Sequence, residues 1–274
     1  MLEQHRLIER VREVCRADPR LISALMYGSF AAGEGDHFSD IEFLLYFNDD
    51  VLPEVDQREW VERVAPVALY FTNEFGVGTA IFHHLIRGEF HFDRQSDVHW
   101  IDVSWRETDF FPSVDRAVIL DRTGELRRRI EAIAGAPIER REPERIDQLI
   151  HQLVNWVLFG WTVLERGEYA RAHDLLGHVH RHLLWLARIA EHQTTHWATP
   201  SRRVERDLSA AAMSRFVVCT APLDRPSLLR AYREAWQWGN EMMATLVPDE
   251  RFPPSLVAAI DRRLDADDRS FGRE

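Results

Sequence analysis

Two apolar runs near the start of the chain stand on either side of a polar connection. They are Leu21–Tyr27 and Ile41–Phe47, and the residues between them are rich in Gly, Ser and Asp. Runs of this length, rich in Leu, Ile, Tyr and Phe and bounded by turn residues, are typical of buried strands. The sequence therefore predicts two strands, the first ending at Gly28-Ser29 and the second entered through Ser39-Asp40.

The rest of the first half mixes helical and strand patterns. Apolar residues at helical spacing between Leu7 and Cys15 predict an amphipathic helix, which Asp18-Pro19 ends. The other predicted elements are a short helix at Gln57–Val64, strands at Pro66–Phe71 and Glu89–Phe92, a strand or short helix at Thr79–Ile86, and edge strands at Val98–Val103 and Ala117–Leu120. Short strands with few helices indicate a small domain with a mixed sheet.

The second half of the chain has a helical pattern throughout. From Ile146 to Trp161 the apolar residues keep the i, i+3, i+4 spacing over several turns. Further helices are predicted at Tyr169–His192, Ser201–Val218, Asp224–Leu246 and Pro254–Asp267. Five helices of this kind are typical of a bundle.

A charged segment separates the two patterns. Gly135-Ala136-Pro137 and Arg141-Glu142-Pro143 bracket it, as expected of a linker between domains. The sequence therefore predicts an α+β protein with an N-terminal domain at residues 1–135, built on a mixed sheet, and a helical bundle at residues 144–274.

Composition limits the class of protein. The chain has 274 residues, of which 45% are hydrophobic and 29% charged, as in an ordinary soluble domain. No apolar run approaches the roughly 20 residues of a membrane helix, and the first residues lack the apolar stretch of a signal peptide. We expect a cytoplasmic protein without a membrane partner, whose two cysteines, Cys15 and Cys219, are buried rather than bonded or metal-binding.

The charge of the chain argues against a nucleic-acid partner. The formal net charge is −11, and no basic stripe is visible, whereas nucleic-acid-binding proteins usually carry a basic face. An acidic surface favours a cationic small substrate, such as an amine-bearing antibiotic. The chain contains no Lys. The negative charge of a bound phosphate therefore has to be neutralised by Arg, by backbone N–H groups or by metal.

The connection between the first two strands carries the candidate chemistry. In a strand, Asp40 and Glu42 project to the same face, while Ile41 and Phe43 point into the core. Two such carboxylates repel each other unless a cation lies between them, and Mg²⁺ takes oxygen ligands that it shares with phosphates. Gly28-Ser29, at the start of the connection, suits a phosphate because glycine allows close backbone approach. The pattern predicts phosphoryl or nucleotidyl transfer.

These residues resemble the signature of the DNA polymerase β-like nucleotidyltransferase superfamily. The chain length fits the B-type lincosamide nucleotidyltransferases, so the resemblance is expected to cover most of the chain, and longer strings in its first part are similar to that group. They are Met26–Phe30, Gly33–Asp36, Phe38–Phe43, Pro66–Phe71, Asn73–Phe82 and Arg87–Phe92. The superfamily more often has Asp at the position of Glu42. Glu42 therefore departs from the superfamily pattern, although it agrees with the B-type pattern.

A third acid is needed to accept the proton of an attacking hydroxyl. The downstream candidates are Glu89, Asp93 and Asp102. Glu89 is preferred because it opens an alternating strand and the B-type motif has an acid there. The resemblance implies that Glu89 acts as the base and also contacts metal. His91 shares its strand face and is either a packed histidine or a group that orients Glu89.

The resemblance implies a Mg²⁺-dependent nucleotidyltransferase with two metal ions, which Asp40, Glu42 and Glu89 would bind. Gly28 and Ser29 would hold ATP or another nucleoside triphosphate, and the acceptor would be a lincosamide antibiotic in a cleft between the domains. A homodimer is also implied. Two alternatives stay open: an aminoglycoside nucleotidyltransferase, and a non-catalytic nucleotide-binding or interaction protein of the same fold.

Overall fold

The computed structural model describes residues 2–101, 113–134, 140–247 and 253–265. The chain divides into two compact units, residues 1–138 and 139–274. The first unit holds the sheet, and the described part of the second consists of helices and loops. The α+β fold class, with a mixed sheet followed by a helical region, is confirmed.

The first unit alternates strands and helices along the chain. Its strands are β1 (Leu21–Tyr27), β2 (Ile41–Phe47), β3 (Val67–Thr72), β4 (Gly78–Phe82), β5 (Arg87–Arg94) and β6 (Val118–Asp121). Its helices are α1 (Glu3–Ala17), α2 (Gly28–Ala32), α3 (Gln57–Glu62), α4 (Val114–Ala117) and α5 (Glu125–Ile133), with 3₁₀ turns at Leu52–Glu54 and Gln95–Trp100.

The six strands form one mixed sheet in the order β3-β4-β5-β2-β1-β6. Strands β2 and β5 are parallel, and every other neighbouring pair is antiparallel. The parallel pair lies near the centre of the sheet. It therefore brings together the starts of β2 and β5, which are the ends that carry Asp40, Glu42 and Glu89.

The sheet buries apolar residues on both faces. On one face Ile41, Phe43 and Phe90 pack with α1 and α3 in a large cluster. On the other face Leu25 and Tyr46 belong to a smaller cluster, which also contains residues of α5. Alternation along β2 therefore holds as predicted, with Ile41 and Phe43 in the larger cluster.

Most predicted elements of the first unit are confirmed, and one is wrong. The runs Leu21–Tyr27 and Ile41–Phe47 are strands with the predicted bounds. The predicted edge strand at Val98–Val103 is instead a 3₁₀ turn, Gln95–Trp100, with residues 102 and 103 outside the described ranges. Val98 and Ile101 are both buried in the smaller cluster, and a spacing of three suits a helical turn, whereas a strand would point them to opposite faces.

The second unit is built from helices around its own apolar core. The helices are α6 (Pro143–Glu165), α7 (Tyr169–Ala190), α8 (Val204–Asp207), α9 (Ala210–Val218), α10 (Arg225–Leu246) and α11 (Pro254–Asp265). Asp224 caps α10 by accepting a hydrogen bond from the Ser227 amide at 2.9 Å, as its position in the sequence predicts.

The predicted helix at Ser201–Val218 is broken into α8 and α9. Arg188 is completely buried, and its guanidinium donates to the carbonyls of Pro200 and Arg202 and to Asp207. These bonds hold residues 200–202 in a loop, and Arg203 is in the left-handed region at φ +55°, so α8 begins only at Val204. Asp207, the last residue of α8, is bound by the same guanidinium. Ser209 then starts α9 as an N-cap, because its side chain accepts from the Ala212 amide at 3.1 Å.

Both cysteines are free and buried, as predicted. Burial raises the pKa of each thiol, that of Cys15 and that of Cys219, to about 12. Within the described ranges, no helix has the length and apolar character needed to cross a membrane.

Candidate active site

One row of side chains crosses five strands and contains two of the three predicted acids. Phe71 on β3 pairs with Thr79 on β4, and Thr79 pairs with Glu89 on β5. Glu89 is the register partner of Glu42 on the parallel strand β2, and Glu42 is opposite Tyr27 on β1. Residues paired in this way share one face of the sheet. The row therefore reads Phe71, Thr79, Glu89, Glu42, Tyr27 across that face.

Asp40 reaches the same place from the residue that precedes β2. The guanidinium of Arg87 forms ion pairs with Asp40 Oδ2 and with Glu89 Oε1. The structure thus brings Asp40, Glu42 and Glu89 to one end of the two parallel strands. A cationic group of the chain itself bridges two of them.

Arg87 is a residue that sequence reasoning did not select. It lies two positions before Glu89 on β5, and i, i+2 alternation is the signal that could have found it. Its side chain is 47% exposed, so it is accessible to a ligand.

Gly28 lies against the carboxylate of Glu42. Its φ is +68°, a left-handed conformation that favours glycine, and it begins the short helix α2. A Cβ placed on Gly28 would lie 1.6 Å from Glu42 Oε2. The sequence predicts a close approach of the Gly28 backbone to a phosphate. The structure shows this backbone close to Glu42, an acid of the candidate site.

Ser29 follows Gly28 and is 8% exposed. Its Oγ is buried, and within the described part of the chain it has no hydrogen-bond partner. Buried hydroxyls are usually hydrogen-bonded. A buried hydroxyl without a partner is therefore a position where a hydrogen bond to a ligand oxygen would be favourable. The role that the resemblance implies for Ser29, holding the nucleoside triphosphate, is compatible with this environment.

Tyr27 and His91 lie beside Glu89. The Tyr27 hydroxyl is 2.9 Å from His91 Nε2 and 3.4 Å from Glu89 Oε2. Burial raises the pKa of Tyr27, and the negative charges of Glu42 and Glu89 raise it further. Burial lowers the pKa of His91. A protonated phenol and a neutral imidazole therefore stand next to the proposed base.

The other acids to consider for the site are Asp93, Asp102 and Asp36. Asp93 is on the face of Glu89, four residues further along β5, where burial raises the pKa of its carboxyl. Asp102 lies outside the described residues. Asp36 accepts hydrogen bonds from the Phe38 amide and the Ser39 hydroxyl, so it stabilises a turn.

The donor set suits a magnesium ion. Within the described residues, no group of three or more His, Cys, Asp or Glu side chains is arranged to hold a metal, and Arg87 lies between Asp40 and Glu89. Mg²⁺ usually binds one or two carboxylates and completes its octahedron with water and substrate phosphates. The carboxylates of Asp40, Glu42 and Glu89 are hard oxygen donors of the required kind.

Three histidines of α7 make hydrogen bonds and ring contacts within the second unit. His182 Nδ1 is 2.7 Å from the carbonyl of His178, and His180 Nε2 is 2.8 Å from the carbonyl of Cys219. The ring of His178 stacks on Trp156. Each of the three rings is therefore engaged in a hydrogen bond or a ring contact.

The comparisons with known proteins add an independent observation from the second unit. Residues 142–253 match the family model described as lincosamide nucleotidyltransferase-like, C-terminal domain. This region is therefore similar to that domain, and the resemblance carried by the N-terminal motifs is confirmed by a match in the other half of the chain.

Two solved structures are similar to this chain over most of its length. One is an aminoglycoside 6-adenyltransferase from Bacillus subtilis, with 12% identity, coverage of 96% of both chains and a TM-score of 0.43. The other is a nucleotidyltransferase-like protein from Exiguobacterium sibiricum 255-15, with 14% identity, coverage of 93% of this chain and 88% of that one, and a TM-score of 0.37. A comparison with curated proteins finds no match.

Proposed function

We propose that the protein transfers a nucleoside monophosphate from ATP or another nucleoside triphosphate to a hydroxyl of a lincosamide, releasing pyrophosphate. The observation that carries the proposal is the position of the three acids. Glu42 and Glu89 are register partners on parallel strands, and Asp40 shares Arg87 with Glu89. Three carboxylates brought together, two from the motif that opens β2 and one from β5, suit a reaction that neutralises phosphate charge.

The proposed chemical step is a displacement at the α-phosphorus. The acceptor oxygen forms a bond to the α-phosphorus, and the bond from that phosphorus to the bridging oxygen of the β-phosphate breaks. Pyrophosphate leaves with the electron pair, and the hydroxyl proton passes to Glu89. Glu89 suits this role because Arg87 and Tyr27 contact its two oxygens and fix the direction of the carboxylate.

The triphosphate would lie at the start of α2. Ser29 Oγ offers a buried donor that lacks a partner among the described residues, and the half-exposed guanidinium of Arg87, paired with Asp40 and Glu89, is a cation that a phosphate oxygen would also contact. In the proposal Asp40, Glu42 and Glu89 hold Mg²⁺, which when bound neutralises phosphate charge and activates the α-phosphorus toward attack.

The acceptor would use the outer part of the same face. Leu69 and Phe71 on the edge strand β3 are 54% and 45% exposed, and Phe71 is in the row that contains Glu89. An apolar surface next to acids suits an amphipathic acceptor, with its sugar near Glu89 and its apolar part against Phe71. This arrangement favours a lincosamide over an aminoglycoside, which is polar throughout.

The proposal is tested by measuring pyrophosphate release from ATP and Mg²⁺ with clindamycin, with kanamycin or without acceptor. Wild type is compared with Asp40→Ala and with the matched control Asp50→Ala, an exposed acid just beyond the other end of β2. We expect release that requires clindamycin, persists in Asp50→Ala and is lost in Asp40→Ala.

Other results would change the proposal in definite ways. Release only with kanamycin would keep the reaction and replace the acceptor class by an aminoglycoside. A folded wild-type protein that is silent with every acceptor and nucleotide would contradict the enzyme and favour the nucleotide-binding or interaction protein. The homodimer and the cytoplasmic location stay predictions, which sedimentation and fractionation would check.

A further inference from the structure

The carboxylate of Glu89 is held at both oxygens, by a side chain of its own strand β5 and by one from β1, on the far side of β2. Arg87 contacts Oε1, and the Tyr27 hydroxyl approaches Oε2 at 3.4 Å. Arg87 is half-exposed, whereas the Tyr27 hydroxyl points toward the half-buried ring of His91. Oε1 therefore faces the exposed side of the site, and Oε2 faces the protein.

The hydroxyl of Tyr27 has one proton, and both Glu89 Oε2 and His91 Nε2, among its described neighbours, could accept it. An ionised carboxylate can only accept, so a hydrogen bond to Glu89 requires the Tyr27 proton. The short contact between Tyr27 Oη and His91 Nε2, 2.9 Å, then requires that the imidazole be the donor.

The ring contacts support the same arrangement. The rings of Tyr27 and His91 meet edge to face, with centroids 5.7 Å apart and planes inclined by 72°. Both side chains come from strands whose register is fixed, β1 and β5 lying on either side of β2. The pair is therefore set by the sheet and does not depend on a loop.

We infer that Tyr27 and His91 are positioning residues for the base: His91 Nε2–H donates to Tyr27 Oη, and Tyr27 O–H donates to Glu89 Oε2. The chain keeps Oε2 occupied, and Oε1, on the exposed side, takes the acceptor proton with the lone pair that does not face Arg87. A base oriented by a second group is a common arrangement in general-base catalysis. The catalytic part of this inference rests on the proposed function, whereas the hydrogen-bond chain does not.

The hydrogen-bond chain is tested without any substrate. Protein labelled with ¹⁵N-histidine is studied by NMR at about pH 8, where a histidine of ordinary or lowered pKa is neutral. His91→Gln assigns the His91 signals. We expect wild-type His91 in a single tautomer with the proton on Nε2, and Tyr27→Phe should move it toward the averaged signal of an unconstrained ring.

Tyr70→Phe is the matched control. The Tyr70 hydroxyl also bonds a neighbour, Gln57 at 2.9 Å, but Tyr70 is adjacent in β3 to residues of the acid face and points to the opposite one. Its loss should leave the His91 signal unchanged. A wild-type His91 that is averaged, or protonated on Nδ1, or unaffected by Tyr27→Phe would overturn the inference.

The catalytic part is tested in the pyrophosphate assay with the acceptor that wild type uses. Tyr27→Phe should lower kcat by about 10-fold and leave KM for ATP within about 2-fold, because an oriented base acts on the chemical step. His91→Gln, which retains a donor, should keep more activity than His91→Leu. An unchanged kcat in Tyr27→Phe, or equal activities of the two His91 variants, would overturn the positioning role.

The two failures are distinguishable. If wild type turns over no acceptor, the proposed function fails, while the NMR result still decides whether Tyr27 and His91 form the chain. If wild type is active and Tyr27→Phe is folded with wild-type kcat, the proposed function stands and the positioning role fails. Thermal unfolding of each variant establishes that it is folded.

Discussion

At the residue scale, Gly28 has two separate reasons to be glycine. Its φ of +68° is a conformation that costs other residues about 1–2 kcal/mol. The carboxylate of Glu42 also occupies the space that a Cβ would need. The first reason concerns stability alone, and the second concerns the candidate site.

We predict that Gly28→Ala lowers activity by about 100-fold, because the added methyl group displaces Glu42 by more than an ångström. Gly124→Ala is the control that separates the two reasons. Gly124 has a similar φ, +76°, but nothing lies within 4 Å of an added Cβ. Pyrophosphate release and thermal unfolding are measured on both. Equal activity losses in the two variants would show that backbone strain, and not Glu42, is responsible.

The site could be predicted from sequence only where its residues are close in the chain. Gly28, Ser29, Asp40 and Glu42 belong to one short motif, so alternation and turn chemistry were sufficient to select them. Tyr27 meets Glu89 across 62 positions, and Asp40 meets Arg87 across 47. Those contacts depend on the strand order β5-β2-β1 and on its register, which no local pattern encodes.

At the scale of elements, Asp18 joins the start of β1 to α3. It is 2% exposed and accepts hydrogen bonds from Arg20, Arg63 and the indole of Trp60. Burial alone would raise the pKa of Asp18, but the bonds from Arg20 and Arg63 outweigh it and lower the pKa to about 2. The charged form is therefore the one that stabilises the fold.

The sign of the pH dependence follows from that lowered pKa. The stabilisation is complete above about pH 4, the pKa of an unfolded Asp, and is lost as the pH falls toward 2. We predict that Asp18→Asn lowers the free energy of unfolding by about 2 kcal/mol at neutral pH. Urea titrations should show the difference from wild type shrinking below about pH 4. A difference that is constant with pH would contradict an electrostatic origin.

Gly160 decides how closely α6 and α10 approach. A Cβ at this position would lie 2.0 Å from the hydroxyl of Tyr232, which is buried and donates to the carbonyl of Ala172 at 2.6 Å. A methyl group would therefore displace a buried ring and break its hydrogen bond. The gain in helix propensity, about 1 kcal/mol, is too small to compensate.

We predict that Gly160→Ala destabilises the protein by about 1–3 kcal/mol. Gly177→Ala is the matched change in α7, where an added Cβ meets nothing within 4 Å. It should stabilise by up to about 1 kcal/mol through propensity alone. The midpoint of chemical unfolding is measured for both variants. Stabilisation by both would mean that α6 and α10 can separate at little cost.

The elements themselves were predictable where one physical cause dominated. Buried runs flanked by turn residues gave β1 and β2 their correct bounds. The 3₁₀ turn at Gln95–Trp100 and the break between α8 and α9 were not predicted. Both depend on tertiary contacts: burial of Val98 and Ile101 against the sheet, and the ion pair of Arg188 with Asp207, the last residue of α8.

At the scale of the whole molecule, each unit has a separate apolar core. The clusters of the sheet contain residues of the first unit, and the helical cluster contains residues of the second. Cores of this kind can unfold in separate steps.

We predict two calorimetric transitions. Asp18→Asn should lower the temperature of one of them, and Gly160→Ala should lower the other. Differential scanning calorimetry on wild type and the two variants measures this directly. A single transition that both variants shift equally would show that the units unfold together.

Each unit contains one cysteine, and the reactivity of its thiol reports the unfolding of that unit. Cys15 is completely buried in the first unit and Cys219 in the second, and burial raises the pKa of both to about 12. Folded, neither thiol offers an accessible thiolate to an alkylating reagent. The sequence contains no third cysteine. Mass spectrometry after a timed pulse of alkylating reagent would therefore show which of the two units has unfolded, and at what time.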